Sequence, residues 1–198
     1  MGFDLYGLKP NLKTKRPEID WSQKLTQEEK ETYFKDLEKF EEENPGYYFR
    51  NNVWMWHPLA DFTLSLTNGL FTESEKKRWH HNDRFCVEDM KAKVVADKLS
   101  EAYDDGRVKE HKNKMAIIIK EASEYNEVIS KQLKELREIV IKKTKKENIV
   151  PADYPEPFRK QYDSTQALWD YRSSYPFYEE NVKDFIKFCY ASGGFEIC

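Results

Sequence analysis

Apolar residues recur every three or four positions over much of the chain, which is the spacing of one face of an α-helix. The longest stretch without Gly or Pro runs from 107 to 146, and it predicts one long helix or a tight helical hairpin. A stripe of this kind needs a partner, either another helix of the chain or the same helix in a second copy. Its members are Ile118, Ala122, Tyr125, Ile129, Leu133, Leu136 and Val140.

Start signals define several other helices. Thr26 with Glu29 and Thr72 with Glu75 each form the capping-box pattern that precedes a helix. Pro58 suits the first turn of a helix that continues to about residue 67. Further helices are predicted at about 87–103 with Met90, Val94, Val95 and Leu99 turned inward, at 164–173, and from Pro176 or Tyr178 to Gly193.

Two segments lack a helical period. Residues 1–20 are rich in Gly, Pro and Lys, and residues 47–57 mix rings with polar groups, so both are predicted to be short extended or irregular segments. The apolar tail Phe195–Cys198 is expected to be docked. The sequence therefore predicts a mainly α fold, a compact single helical domain over 1–198 in which 107–146 is an element that protrudes or dimerises.

The charge of the chain is unevenly distributed. The formal net charge is −3, but residues 107–146 hold 12 Lys or Arg against 6 Glu, a net charge of +6 that leaves −9 for the rest. Eight acidic residues and three lysines lie between Glu28 and Glu43. Because the chain is acidic overall and has no established reading motif, nucleic acid is a disfavoured partner.

The number of cysteines and the hydropathy of the chain indicate the cellular compartment of the protein. The three cysteines, Cys86, Cys189 and Cys198, are odd in number and form no CxxC pair, which argues against a secreted disulfide framework. No apolar run approaches the roughly 18 residues of a membrane span, and no signal peptide is recognisable. The prediction is a cytoplasmic protein without a membrane partner, located in the host cytoplasm if a phage encodes it.

The segment from Tyr47 to His57 concentrates the groups that could bind a ligand. It joins several large rings to Arg50, Asn51 and Asn52. Rings and guanidinium groups stack on nucleobases, and carboxamides offer a paired donor and acceptor to base edges. The alternative interpretation is structural: the rings form core and the polar groups satisfy buried backbone groups.

Metal and catalytic motifs give little support to an enzyme. His80, His81 and Cys86 could ligate a metal, but they lack the spacing of a zinc ribbon or of an HExxH helix, so neither a metal nor a cofactor is expected. The sequence also lacks the P-loop, GxGxxG, GxSxG and kinase patterns. A protein without catalytic activity is therefore favoured.

Four motifs resemble a widespread set of small proteins of phages and bacteria. They are Met-Gly-x-Asp-x-Tyr-Gly at Met1–Gly7, Tyr-Phe-Arg-Asn-Asn-Val-Trp-x-Trp-x-Pro-Leu at Tyr48–Leu59, Asn82-Asp83 before a helix, and Tyr175 to Cys198 with its Gly-Gly-Phe-Glu-Ile-Cys end. The resemblance covers roughly half of the chain and implies no particular activity. It implies that the N-terminal, Arg-Asn-Asn-Val-Trp and C-terminal segments belong to one structural unit.

This chain departs from those proteins at Met55 and His57, where Trp and Arg are frequent, and at residues 107–148, where some of them hold cysteine pairs. No zinc is therefore inferred from the resemblance. The shared motifs imply that the N-terminal, central and C-terminal site residues converge. The predicted ligand-binding set is Asp4, Tyr6, Arg50, Asn51, Asn52, Trp54, Trp56, His57 and Glu196.

The leading hypothesis is a phage-encoded binding protein that sequesters a small nucleotide-like ligand, such as a cyclic nucleotide immune signal, and so counteracts antiviral defence of the host. Arg50 would engage phosphate or a base edge, while Trp54 and Trp56 would stack and the two asparagines would orient the ligand.

Two other classes of function remain open. One is a helical interaction module that homodimerises through 107–146 or inhibits a host defence protein. The other is a small hydrolase that uses His57 or His81 with Asp4 or Glu196, which requires those groups within hydrogen-bond reach of a substrate.

Overall fold

The computed structural model describes residues 2–198. Within them the prediction of a mainly α fold is confirmed, because seven α-helices dominate the chain. The fold also contains a four-stranded antiparallel sheet that the sequence analysis did not predict. The elements are β1 (Gly2–Gly7), α1 (Gln27–Glu43), β2 (Tyr48–Asn52), α2 (Val53–Leu66), α3 (Glu73–Arg78), β3 (Phe85–Glu88), α4 (Asp89–Asp104), α5 (Arg107–Thr144), α6 (Phe158–Gln166), α7 (Glu179–Ala191) and β4 (Gly194–Ile197), with short 3-10 helices at Pro151–Asp153 and Tyr171–Ser174.

Contacts within the chain fall into two compact units. The first contains the residues up to Lys112 together with Phe177–Cys198, and the second contains Asn113–Pro176. The sheet and helices α1 to α4 and α7 belong to the first unit. That residues 1–198 make up a single domain stays a prediction.

The sheet joins segments that are far apart in sequence. Its strand order is β2-β1-β4-β3, and each neighbouring pair is antiparallel. The docked tail is therefore a central strand, paired with β1 on one side and β3 on the other. Because side chains alternate along a strand, one face is apolar and turned to the core. Its members are Phe3, Leu5, Phe49, Phe85, Val87, Phe195 and Ile197, none of them more than 9% exposed.

Aromatic rings fill the core of the first unit. Trp56 and Trp79 are fully buried and stack with their ring centroids 5.9 Å apart. Phe185 packs edge-on against both indoles, at 5.7 and 6.4 Å. Burying one large apolar side chain stabilises a fold by about 1.5–3 kcal/mol. The tail contributes Phe195, whose ring lies 5.5 Å from that of Phe188.

The segment around residues 47–57 differs from its predicted form. Only Tyr48–Asn52 is extended, and α2 begins at Val53, five residues before Pro58. The reason is that the Asn52 side chain caps the helix by accepting a hydrogen bond of 3.0 Å from the backbone N–H of Met55. Pro58 consequently lies inside α2 instead of in its first turn.

The predicted inner face of the helix near 87–103 was partly wrong. Strand β3 occupies Phe85–Glu88, and α4 starts at Asp89. Val95 and Leu99 are buried as predicted, but Met90 and Val94 are 79% and 37% exposed. Small residues complete the inner face, which lets neighbouring elements approach closely; they are Ala92, Ala96 and Ala102.

Both capping boxes are present. Thr26 and Glu29 exchange hydrogen bonds at the start of α1, as do Thr72 and Glu75 at the start of α3. At the other end of α1 the buried Asn44 accepts a hydrogen bond of 2.6 Å from the backbone N–H of Lys13. The N-terminal segment is thereby attached to the end of α1.

Helix α5, most of which belongs to the second unit, is one uninterrupted helix and not a hairpin. Leu136 and Val140 are buried against Ile149 and Tyr154, so the chain's own return segment covers this part of the stripe. Further along α5, the buried Asn126 is bonded to the backbone of Asp170, as donor at 2.8 Å and as acceptor at 2.8 Å.

Other parts of the second unit differ from prediction. Tyr125, which was predicted to lie in the apolar stripe, is 46% exposed. The predicted helix at 164–173 is instead α6 at Phe158–Gln166, which follows a proline-rich turn, and a separate 3-10 helix at Tyr171–Ser174.

None of the helices formed by residues 2–198 is long and apolar enough to cross a membrane.

Candidate functional site

The solvent-facing side of the sheet gathers most of the polar groups that the sequence singled out. Tyr6 lies opposite Tyr48 on one side and opposite Glu196 on the other, and Cys86 lies opposite Glu196. A second row places Asp4 opposite Arg50. We call this surface the outer face; its residues are Asp4, Tyr6, Tyr48, Arg50, Cys86, Glu196 and Cys198.

Cys198 joins the outer face through the backbone. Its N–H donates to the carbonyl of Asp4 at 2.8 Å, and its carbonyl accepts from the Asp4 N–H at 2.9 Å. Burial raises the pKa of the Cys198 thiol, and a hydrogen bond with the Glu196 side chain raises that pKa further. The thiol is therefore kept protonated, which makes it a weak nucleophile.

Asp4 organises the second row. One of its carboxylate oxygens, Oδ1, accepts a short hydrogen bond from the Tyr48 hydroxyl, and Arg50 Nε lies 3.4 Å from the same oxygen. The Arg50 side chain is 67% exposed, whereas that of Asp4 is 34% exposed. An ion pair at such a surface contributes only about 0–1 kcal/mol to stability. The pair places beside the carboxylate a guanidinium that solvent, or a ligand, can reach.

Two tyrosines stand beside this pair. The rings of Tyr6 and Tyr48 lie 5.2 Å apart with an angle of 37° between their planes, and Tyr6 is 43% exposed. Burial raises the pKa of Tyr6, and the charge of Asp4 raises it further. The pKa of Tyr48 is also raised, first by burial and then by its hydrogen bond to Asp4. Both phenols therefore stay neutral and can donate hydrogen bonds at neutral pH.

The structure does not place the whole predicted set on the outer face. It brings together Asp4, Tyr6, Arg50 and Glu196. Asn51 pairs with Phe3 on the inner face and is only 4% exposed. Asn52 caps α2 with its side chain.

The tryptophans of the predicted set lie in the following helix. Trp56 is fully buried, and its Nε1 donates a hydrogen bond of 2.6 Å to the carbonyl of Trp79. A ring in this position has no surface on which a ligand could stack, so Trp56 is part of the core in this structure. Trp54, in the first turn of the same helix, is 41% exposed.

His57 belongs to a different cluster. Its ring packs edge-on against Phe3, whose side chain is on the opposite side of the sheet from Asp4, and lies 5.0 Å from the ring of His80. His80 Nε2 is 3.2 Å from Asp61 Oδ1. Burial lowers the pKa of His57, and the neighbouring His80 lowers it further. The structure therefore places His57 beside Phe3 and His80, away from the side of the sheet that carries Asp4. The hydrolase hypothesis, which names His57 or His81 with Asp4 or Glu196, stays a prediction.

Tyr48, Cys86 and Cys198 were not predicted as site residues. The signal that could have found them is the alternation of polar and apolar positions in the segments that carry them, Tyr48–Asn52, Phe85–Glu88 and the tail, which is typical of strands with one buried face. Among residues 2–198 no group of three or more His, Cys, Asp or Glu side chains could hold a metal ion.

Comparisons with protein-family models, with curated proteins and with solved structures found no match to the chain.

The chemistry of the outer face consists of an exposed guanidinium, an aromatic pair and two carboxylates. This set suits recognition of a planar ligand that carries negative charge and amino groups.

Proposed function

We propose that the protein binds a small nucleotide-like ligand on the outer face of its sheet. The observation that carries the proposal is the exposed Arg50, oriented by Asp4, next to the Tyr6–Tyr48 ring pair on two adjacent strands. The inner face of the same strands is part of the core, so the presenting residues stand on rigid elements.

Each group has a distinct role in this proposal. The exposed Tyr6 ring stacks on a base, an interaction worth about 1–3 kcal/mol. Arg50 engages phosphate by charge-assisted hydrogen bonds, and Glu196 accepts from an exocyclic amine. Asp4 keeps Arg50 and Tyr48 in place and so reduces the entropy lost on binding. Trp56 and Asn51 support the face from the core side.

The test begins with a thermal-shift screen against linear and cyclic nucleotides, followed by calorimetry on hits, because a ligand that binds only the native state raises the melting temperature. Arg50→Ala should weaken binding by about tenfold or more, which corresponds to about 1.4 kcal/mol. Arg137→Ala is the matched control, because Arg137 is an exposed arginine on α5. Equal affinities of the two variants would contradict the proposal.

The stacking role has its own control. Tyr6→Ala should lose most of the affinity, whereas Tyr6→Phe should keep it because the ring remains. Tyr125 on α5 is 46% exposed against 43% for Tyr6, so Tyr125→Ala tests for a general effect of removing a surface tyrosine. If Tyr6→Phe binds as poorly as Tyr6→Ala, the hydroxyl and not the ring carries the interaction.

That the protein sequesters an immune signal of a host rests on the sequence motifs and stays a prediction. Its direct test is to incubate the protein with the bound nucleotide and to analyse the ligand by chromatography after release. Sequestration predicts that all of the ligand is recovered intact. Conversion to a product would instead favour the hydrolase.

A second candidate function is self-association through α5. Three apolar side chains on this helix, Ile117, Val128 and Ile139, are 61%, 55% and 51% exposed. They are spaced eleven residues apart, close to three helical turns, so they follow one line along the helix. Sedimentation over a concentration series should show a dimer that Val128→Glu abolishes and that Ser130→Glu, a change at another exposed position of α5, leaves intact. A monomer at every concentration would exclude this function.

A further inference from the structure

A second surface, formed by α1 and the segment that precedes it, has a composition unlike that of the outer face. The rings of Trp21, Tyr33 and Phe34 are in mutual contact, with centroids 5.5 to 6.1 Å apart. Trp21 and Phe34 are each 55% exposed. Large rings grouped in solvent mark an interaction site more often than rings scattered singly.

A cleft of about 580 Å³ lies beside these rings, between α1 and the segment before it, and Tyr33 forms part of its wall. Ten described residues line it, and no Lys or Arg is among them. Four of the ten are acidic: Glu18, Glu28, Glu29 and Asp36. The cleft therefore has a negative wall beside an aromatic one.

Helix α1 lies mostly at the surface of the protein. Among its seventeen residues only Phe40 is buried. Glu29 is committed to the capping box with Thr26, and this hydrogen bonding lowers its pKa. A hydrogen bond from Lys15 similarly lowers the pKa of Glu18. These two carboxylates consequently stay ionised under neutral and mildly acidic conditions.

We propose that this surface, consisting of the Trp21–Tyr33–Phe34 rings and the adjoining acidic cleft, docks an arginine- and lysine-rich segment of a partner protein. A guanidinium can stack on an exposed ring while it donates to a carboxylate, which combines the two features found side by side here. Charge complementarity selects the occupant, because an acidic segment would be repelled and an apolar segment would cover the carboxylates of Glu28 and Asp36 without offering them a donor.

The experiment measures binding of fluorescein-labelled octa-arginine by anisotropy at about 0.15 M salt, where long-range attraction is screened. Glu28→Gln/Asp36→Gln should weaken binding by about tenfold. Glu38→Gln/Glu42→Gln removes the same charge from exposed positions of the same helix that do not line the cleft, and it should change affinity by less than about threefold.

Trp21→Ala/Phe34→Ala tests the rings separately and should weaken octa-arginine more than octa-lysine, because guanidinium stacks better than ammonium. Circular dichroism should show that every variant keeps the helical content of the unsubstituted protein. Equal losses in the two charge variants would overturn the proposal, since they would reflect net charge alone. Salt-sensitive self-association that Glu28→Gln/Asp36→Gln abolishes would also overturn it, because a second copy would then occupy the surface.

Discussion

Trp56 illustrates how a residue that looks like a binding ring can be a structural one. Its indole is fully buried, stacks on Trp79 at 5.9 Å, and donates from Nε1 to the Trp79 carbonyl at 2.6 Å. Trp56→Phe keeps an aromatic ring in the stack but removes the donor and part of the ring. The substitution should therefore lower stability through two separate effects.

The magnitude follows from these two losses. A buried carbonyl that loses its donor costs about 1–3 kcal/mol. Phe has three heavy atoms fewer than Trp, and the void that remains after the neighbouring side chains relax adds about 1 kcal/mol. The sum is about 2–4 kcal/mol, a large share of the 5–15 kcal/mol by which folded proteins are typically stable.

The assay is urea denaturation followed by far-ultraviolet circular dichroism, which gives the free energy of unfolding by linear extrapolation. The matched control is Trp21→Phe, a substitution at an indole that is 55% exposed, which should stay within about 0.5 kcal/mol. If Trp56→Phe is as mild as the control and instead abolishes ligand binding, the assignment of Trp56 to the core is wrong.

Three further predictions test other parts of the fold. Partial burial lowers the pKa of His57, so the unfolded chain binds the proton more readily than the folded protein does. The free energy of unfolding should therefore fall as pH drops from about 7.5 to about 5, and His57→Gln should flatten this dependence in melting curves. A Cβ at Gly7 would lie 2.1 Å from the Gly46 carbonyl oxygen, so Gly7→Ala should unfold the first unit or lower its stability by several kcal/mol. The control is Gly69→Ala, where nothing lies within 4 Å of the added Cβ. It should cost about 1 kcal/mol in chemical denaturation, because the φ angle of Gly69 is +82°. Phe195→Ala should lose about 3–5 kcal/mol, since the ring is fully buried in a central strand; a loss below about 1 kcal/mol would show that the tail is not docked in this way.

Local signals in the sequence were sufficient for much of the helical structure. The Thr26 and Thr72 capping boxes act within one turn, and the structure contains both. The unbroken period over 107–146 corresponds to the single helix α5. These features could be predicted because their determining interactions join residues only three or four positions apart.

The sheet could not be predicted in the same way, because it depends on pairing between distant residues. Leu5 pairs with Ile197, almost a chain length away, and strands of four to six residues carry little periodic signal. The inner face of α4 was missed at Met90 because small alanines, not the largest apolar residues, face the core there. Tertiary packing overrides hydrophobicity at such positions.

Part of the candidate site could likewise be predicted from the sequence, and part could not. Asp4, Tyr6, Arg50 and Glu196 could be named from shared motifs, and the structure brings them to one face. Composition could not show that Arg50 lies on the outer face and Asn51 on the inner face. That difference arises because adjacent residues on a strand point to opposite faces of the sheet.

The most direct test of the central proposal is a heteronuclear NMR titration of isotopically labelled protein with the nucleotide that gives the largest thermal shift. Binding at the outer face predicts concentration-dependent amide shifts at Asp4 to Tyr6, at Tyr48 to Arg50 and at Glu196 to Cys198, with residues of α5 unaffected. Shifts confined to other elements, or no saturable shifts, would contradict the proposal that the outer face is the binding site.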